Sequence, residues 1–383
     1  MTLKKRIFIG LAGVFTLAIV SFAIALSHDS ECPAPQSAAR AAQPTMKAIM
    51  QRCYGSPEVL TLEDIATPTP ADDEVLVRVR AAGVNPLDWH SVAGWPYIMR
   101  LSSGLGTPRD PSTGVDFAGT IEAVGKQVTR FKPGDEVFGG RSGAFAEYVV
   151  VREDRAIAHK PSNASFEQAA AIPVAAVTAL QALRDHGHVR AGQKVLINGA
   201  SGGVGTFAVQ IAKSLGADVT GVCSTRNVEL VRSLGADHVI DYKKQDFTTA
   251  GERYDLIIDN VGNHSPLALR RALTHNGTVV IVGAPKRGPW IGMFWGVIRG
   301  MVLSWFVDQK FEFFVASLNQ DDLTFLAELA RDGKMTSVLD RRYPLSEVSA
   351  AIQYLAGWHT RGKIIVHIDE SHSPSTVSQV APR

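Results

Sequence analysis

The segment VLINGASGGVGTFAVQIAK, Val195 to Lys213, sets four glycines within seven residues between an apolar run and a helical pattern. A corner so bare restricts the chain to a tight turn from strand into helix, where a ligand can approach the backbone closely. It also opens a repeat. Strand-like runs begin near Lys194, Asp218, His238, Asp255 and Gly277, about twenty residues apart, with helical segments between them. That alternation predicts a parallel sheet covered by helices on both faces. Ala200, Gly202 and Gly205 match the G-x-G-x-x-G dinucleotide fingerprint, with alanine in place of the first glycine. Ser201, Gly203 and Val204 complete the turn, and the first amides of the helix then face a pyrophosphate, the positive end of the helix dipole behind them. A turn that is merely tight is the alternative; the strand before it, the helix after it and the repeat argue for the nucleotide.

The end of the second strand chooses the cofactor. A site for NAD carries an acid there to hold the ribose hydroxyls, whereas this chain has Ser224, Thr225 and Arg226. A carboxylate repels a 2′-phosphate, and a guanidinium binds one through paired, charge-assisted hydrogen bonds. The expectation is NADPH, against the plainer reading of Arg226 as a solvated residue at a helix start.

Residues 46–165 read differently, as short Val-rich alternating strands with turn signals such as KPGDEV, a barrel-like region. SFEQ, Ser165 to Gln168, has capping-box spacing and precedes a long Ala-rich helical stretch. FEFFVAS adds a further strand, DDLTFLAELARDG an amphipathic helix, and KIIVHI the last strand. The tail, 369–383, reads as disordered. Apolar residues make up 45% of the chain and charged residues 20%, the balance of a folded protein. A formal charge of +2, without a basic run in the body, gives no footprint for nucleic acid.

The N-terminus stands apart. Lys4, Lys5 and Arg6 precede an apolar run from Ile7 to Leu26, long enough as a helix to cross a bilayer, about 30 Å. The expectation is a single-pass membrane anchor (7–26) followed by a flexible linker to residue 45; a signal peptide cleaved after AIA is the rival. Positive-inside logic puts the body outside the cytoplasm, where NADPH is scarce, and an inverted orientation, an unusual compartment or a true start at Met46 would each resolve that. Cys32, Cys53 and Cys223, far apart with no CxxC pair, read as unable to form a disulfide framework or a four-cysteine zinc site.

ASGGVGTFAVQIAK together with VCSTRNVELVRSLGADHVIDY resembles the medium-chain dehydrogenase/reductase superfamily, in its zinc-independent quinone oxidoreductase (zeta-crystallin-like) branch. The resemblance implies an α/β chain: a GroES-like β-barrel catalytic domain (46–165), a Rossmann NADP-binding domain with a doubly wound parallel sheet (166–336), and a return to the catalytic domain (337–368). It implies a homodimer with the active site in the cleft. It places Asn85 beside the nicotinamide, Asp88 and His90 on the same short helix, and Tyr97 just beyond. Thr178 matches a nicotinamide contact and Tyr242 a position near the adenosine phosphate. Asn260, Val261 and Gly262 end the fourth strand, Val282 and Gly283 the fifth, and Lys363 returns toward the cofactor. His90 has the pKa class of a proton donor, with a structural histidine as the alternative.

Asn85 stands where zinc-dependent relatives have a cysteine, and Gly114-Val115-Asp116 replaces their Gly-His-Glu, so no zinc is expected. His186 and His188 read as bland surface residues. Without a Lewis acid, hydride delivery to a quinone or an α,β-unsaturated carbonyl is the easier chemistry, because the acceptor delocalises the charge it gains. The expected partner is a small lipophilic acceptor. An NAD(P)-dependent alcohol dehydrogenase and a non-catalytic NADPH-binding membrane sensor are the alternatives. Gly288 to Lys310, with three tryptophans, reads as buried rim or subunit contact, or as a segment dipping into a bilayer surface to admit that acceptor.

Overall fold

The barrel strands follow from alternation, one face toward the core and one toward solvent. In the computed structural model, which describes residues 3–34, 44–283, 288–290, 292, 295–357 and 359–368, they are β1 (Thr45–Gln51), β2 (Leu60–Ala66), β3 (Glu74–Val84), β4 (Asp116–Val124), β5 (Glu136–Gly140), β6 (Tyr148–Arg152) and β7 (Ile157–His159). β1 and β2 pair as an antiparallel ribbon. The others share a sheet with the last two strands of the chain, met below.

β8 (Lys194–Asn198), β9 (Asp218–Cys223), β10 (His238–Asp241), β11 (Tyr254–Asp259), β12 (Leu273–Ile281) and β13 (Lys310–Phe313) form the second sheet. Its order is β10-β9-β8-β11-β12-β13 and every pairing is parallel. Strand order therefore reverses between β8 and β11, the switch point at which open α/β sheets bind ligands. The middle of β8, Val195 to Ile197, is apolar and fully buried because helices cover both its faces. After β13 the chain forms β14 (Leu339–Pro344) and β15 (Lys363–His367), which complete the first sheet in the order β14-β15-β3-β4-β5-β7, with β6 also on β3. One core spans both halves, joining Ala118 and Phe138 of the barrel to Leu180, Phe207 and Ile258.

The capping box forms as expected: Gln168 N donates to Ser165 Oγ at 3.1 Å, and Ser165 N to Gln168 Oε1 at 2.9 Å. The Ala-rich stretch is nonetheless broken, into Phe166–Ala170, Pro173–Gln181 and a π turn Ala182–His186, since Pro173 has no amide with which to continue the first helix. Of the two loop histidines, His188 is exposed and His186 is half-buried, its ring stacked on Phe314 at 4.3 Å and its Nδ1 3.3 Å from Glu312.

Two expectations at the N-terminus are corrected. Leu3–Ser27 is a helix, but among the described residues no helix is long and apolar enough to cross a membrane. The single-pass membrane localisation is therefore withdrawn. The helix end packs instead on the catalytic half: Leu26 is buried, and the fully buried Arg100 donates to Leu26 O at 3.1 Å and His28 O at 3.2 Å and pairs with Asp29 at 2.8 Å. The cysteines are the second correction. Cys32 and Cys53 form a disulfide, because the chain folds back on itself across their 21-residue separation. This holds the near end of the expected linker in place; residues 35–43 and the expected tail, 369–383, lie outside the described residues.

Candidate active site

The corner forms at the carboxyl end of β8. Gly199 turns with φ +78°, Ala200 is buried, and Gly202 is the N-cap of the helix Gly203–Ser214. A methyl group built on Gly205 would lie 2.1 Å from Gly199 O, so only glycine lets the helix pack this close to the turn. One built on Gly202 would meet nothing nearer than 3.5 Å, which leaves the outer face of the corner open. Gly203, Val204 and Gly205 carry amides that precede the first intrahelical donor, Thr206 N, which donates to Gly202 O at 2.9 Å, and the N-cap Gly202 has no side chain to cap them.

Asn260, after β11, donates through Nδ2 to Asn198 O at 3.0 Å, while its buried Oδ1 has no protein partner. Val261 N and Gly262 N both donate to Asp259 Oδ1, and Val282 N and Gly283 N to Asp259 O. Uncapped amides, an open glycine face and an unsatisfied amide oxygen at the switch point fit a dinucleotide.

Just after β9 lie Ser224, Thr225 and Arg226, the expected adenosine end. Ser201 Oγ and Ser224 Oγ accept from Asn227 Nδ2 at 2.9 and 3.2 Å. Thr225 Oγ1 donates to Asp241 Oδ2 at 2.6 Å, a bond that, ahead of Lys243 and Lys244, keeps the Asp241 carboxyl below its ordinary range. Arg226 is exposed and reaches His359 O at 2.8 Å; Tyr242 is 55% exposed, at the edge rather than the floor of the site. Asn227 and Asp241 were not anticipated from sequence; both depend on side chains that only the fold brings near.

The residues expected at the nicotinamide end fall in a buried polar cluster. Asn85, Asp88, Asp116 and Lys363 are all at most 5% exposed. Lys363 Nζ donates to Asn85 Oδ1 at 2.5 Å and to Asp116 Oδ2 at 3.2 Å, and Asn85 Nδ2 donates to Asp116 Oδ2 at 3.0 Å. Val174 N donates to Asp116 Oδ1 at 3.0 Å, and Thr178 Oγ1, one turn on, to Val174 O. Burial pushes Asp116 above the ordinary carboxylate range, and Lys363 and then Asn85 offset part of that. Asp88 closes the N-terminus of the helix Pro86–Ala93, accepting from Asn85 N at 2.7 Å; burial raises its carboxyl to about 7. Lys363 thus goes to Asn85 and Asp116, and Asp116, read from sequence only as a lost histidine–glutamate signature, joins the cluster.

His90 and Tyr97 belong to a different wall. His90 Nδ1 lies 3.2 Å from Trp95 O, which can only accept, so Nδ1 carries the hydrogen. Edge-to-face contacts run from Trp89 to Trp95, Tyr97 and Trp290, and Tyr97 N donates to Pro289 O. Of the tryptophan-rich segment, Trp290 thus closes the aromatic wall, Trp295–Ser304 is a helix whose Gly300 packs on Phe311, and Ile291, Met293 and Phe294 lie outside the described residues. Among the described residues no group of three or more His, Cys, Asp or Glu is placed to hold a metal ion.

A glycine corner of the dinucleotide type, linked through Gly362 and Lys363 to a buried polar cluster, is the arrangement expected of a nicotinamide-dependent oxidoreductase. Residues 71–162 match the alcohol dehydrogenase GroES-like domain, and 234–366 the family described as zinc-binding dehydrogenase. The mitochondrial NAD(P)H oxidoreductase RTN4IP1 of Bos taurus is 35% identical over 353 residues, spanning 82% of this chain and 87% of that protein. The 2-methylene-furan-3-one reductase of Solanum lycopersicum is 32% identical over 358 residues, spanning 89% and 84%. The solved quinone oxidoreductase of Coxiella burnetii superposes with a TM-score of 0.74 at 31% identity, covering 85% of this chain and all of that one. The chain belongs to the medium-chain dehydrogenase/reductase superfamily, among its quinone oxidoreductases and enoyl reductases.

Proposed function

We propose that this enzyme transfers a hydride from NADPH to a lipophilic quinone or α,β-unsaturated carbonyl without a metal. The observation that carries the reading is the buried cluster in which the Lys363 ammonium holds Asn85 and Asp116, residues that by sequence resemblance stand where zinc-dependent relatives have a cysteine and a Gly-His-Glu signature. Relatives that reduce a quinone or an exocyclic enone, by their names, support the acceptor class. Arg226, with Lys243 and Lys244 outweighing Asp241, supports the 2′-phosphate.

Bound NADPH supplies the hydride. The amides of Gly203, Val204 and Gly205 would hold the pyrophosphate, and a hydroxyl or amide donor of the cofactor would satisfy Asn260 Oδ1. Trp95, Tyr97 and Trp290 present an apolar wall that suits a planar acceptor and excludes water. His90, when protonated, gives up its Nε2 proton while Nδ1 stays on Trp95 O, and so supplies the acid for an enolate.

The test is steady NADPH oxidation against a panel of quinones and enones in the presence of a chelator. Turnover that neither falls with the chelator nor rises with added zinc supports the reading. Turnover confined to simple alcohols, or dependent on zinc, refutes it.

A further inference from the structure

The last strand of the chain begins with two residues that touch both halves of the site. Gly362 N donates to Ser201 O at 2.9 Å, and a bridge joins Gly362 to Gly202, so this residue lies against the dinucleotide corner. Its φ is +83°, and a methyl group there would lie 2.2 Å from Val338 O; no other residue fits. Lys363 N is anchored to Val338 O at 2.8 Å, and its stem runs beside Gly203, whose added methyl would meet Lys363 Cδ at 3.2 Å. The ammonium then ends in the cluster at the head of β3 and β4.

There it uses up the freedom of Asn85. The Asn85 carbonyl accepts from Lys363 and its amide donates to Asp116 and to Gly83 O, so the side chain has a single orientation. Because β15 runs antiparallel beside β3, with Ile364 opposite Val84, the backbone fixes where the ammonium arrives.

We propose that Lys363 is a positioning residue: it locks the Asn85–Asp116 pair in register with the glycine corner and so sets the geometry of hydride transfer rather than the affinity for the cofactor. This rests on the cleft being the hydride-transfer site. A displacement of about 1 Å at such a site costs about 100-fold in rate.

The experiment compares wild type, Lys363→Met, Lys363→Arg, Asp116→Asn and the Lys363→Met/Asp116→Asn double variant, measuring thermal stability, NADPH dissociation constant by cofactor fluorescence, and kcat and KM with an enone. The Met variant is expected to keep its NADPH affinity while kcat falls about 100-fold. The Arg variant, which keeps the charge, recovers part of the loss. The double variant removes both members of the buried Lys363–Asp116 ion pair, so it regains stability yet stays slow. Recovery of both stability and kcat in the double variant would overturn the proposal, since Lys363 would then only neutralise Asp116. So would an unchanged kcat, or NADPH affinity lost in step with kcat. A wild type that turns over no acceptor sinks the reading of the cleft together with this one, whereas normal wild-type turnover beside a fast Met variant sinks this one alone.

Discussion

Gly205 and Gly199 approach so closely that a methyl group on the first would lie 2.1 Å from the carbonyl oxygen of the second. Gly202, three residues away, has open space on its outer face. The proposed function therefore gives the two glycines different jobs, one packing the helix and one receiving the ligand. Gly205→Ala is expected to lower stability by about 1–3 kcal/mol, the usual cost of overpacking. Gly202→Ala is expected to leave the melting temperature near wild type while NADPH affinity drops. Thermal melts beside fluorescence titrations separate the two; equal loss of stability in both variants would contradict the assignment.

Arg226 is exposed and its guanidinium donates to His359 O at 2.8 Å, so it can turn toward a 2′-phosphate. A hydrogen bond to a charged group is worth about 1.5–3 kcal/mol, which is about a 10- to 100-fold change in affinity. Arg226→Ala should weaken NADPH by that factor and leave NADH unchanged. Parallel loss of both nucleotides would mean that the guanidinium serves the C-terminal segment instead.

Asp88 makes stability depend on pH. Its buried carboxyl titrates at about 7, whereas in the unfolded chain an aspartate titrates near about 4. Between those values the folded protein holds the extra proton, so stability falls as pH rises through that window and levels off above it. Asp116 adds to the rise and Lys363, with the Asn85 amide, opposes it. Denaturant midpoints measured across the window should show this slope in wild type and a flatter one in Asp88→Asn, which can still accept from Asn85 N. An unchanged slope would show that another group is responsible.

The Cys32–Cys53 disulfide closes a 21-residue separation and fixes the chain beside Arg100. Chain-entropy reasoning gives about 3 kcal/mol for a loop of this size. Replacing both cysteines by serine should cost about that much in a denaturant titration, with reductant affecting wild type and not the variant.

Sequence carried the Rossmann half well because its signals are local. Glycine at 202 and 205, apolar β8 and the spacing of the repeat each reflect a backbone requirement met within a few residues. The catalytic cluster was half legible. Asn85 and Asp88 lie on one turn, but Lys363 meets Asn85 across 278 positions and Asp116 across 247, and no local pattern reports such a meeting. The same limit explains the cysteines, whose spacing says nothing of whether the chain folds back. The apolar run at the N-terminus was visible as a helix; that its end would be held by a fully buried Arg100 was not, since an arginine in sequence reads as a solvated cation.

The most direct measurement follows the hydride itself. NADPH carrying deuterium at C4 of the nicotinamide is oxidised by the enzyme with an enone, and the product is examined by mass spectrometry and NMR. The account predicts one deuterium per product, bound to the carbon β to the carbonyl, at a yield matching the NADPH consumed. Product without label at that carbon, or cofactor oxidised with no product formed, would contradict hydride transfer in this cleft.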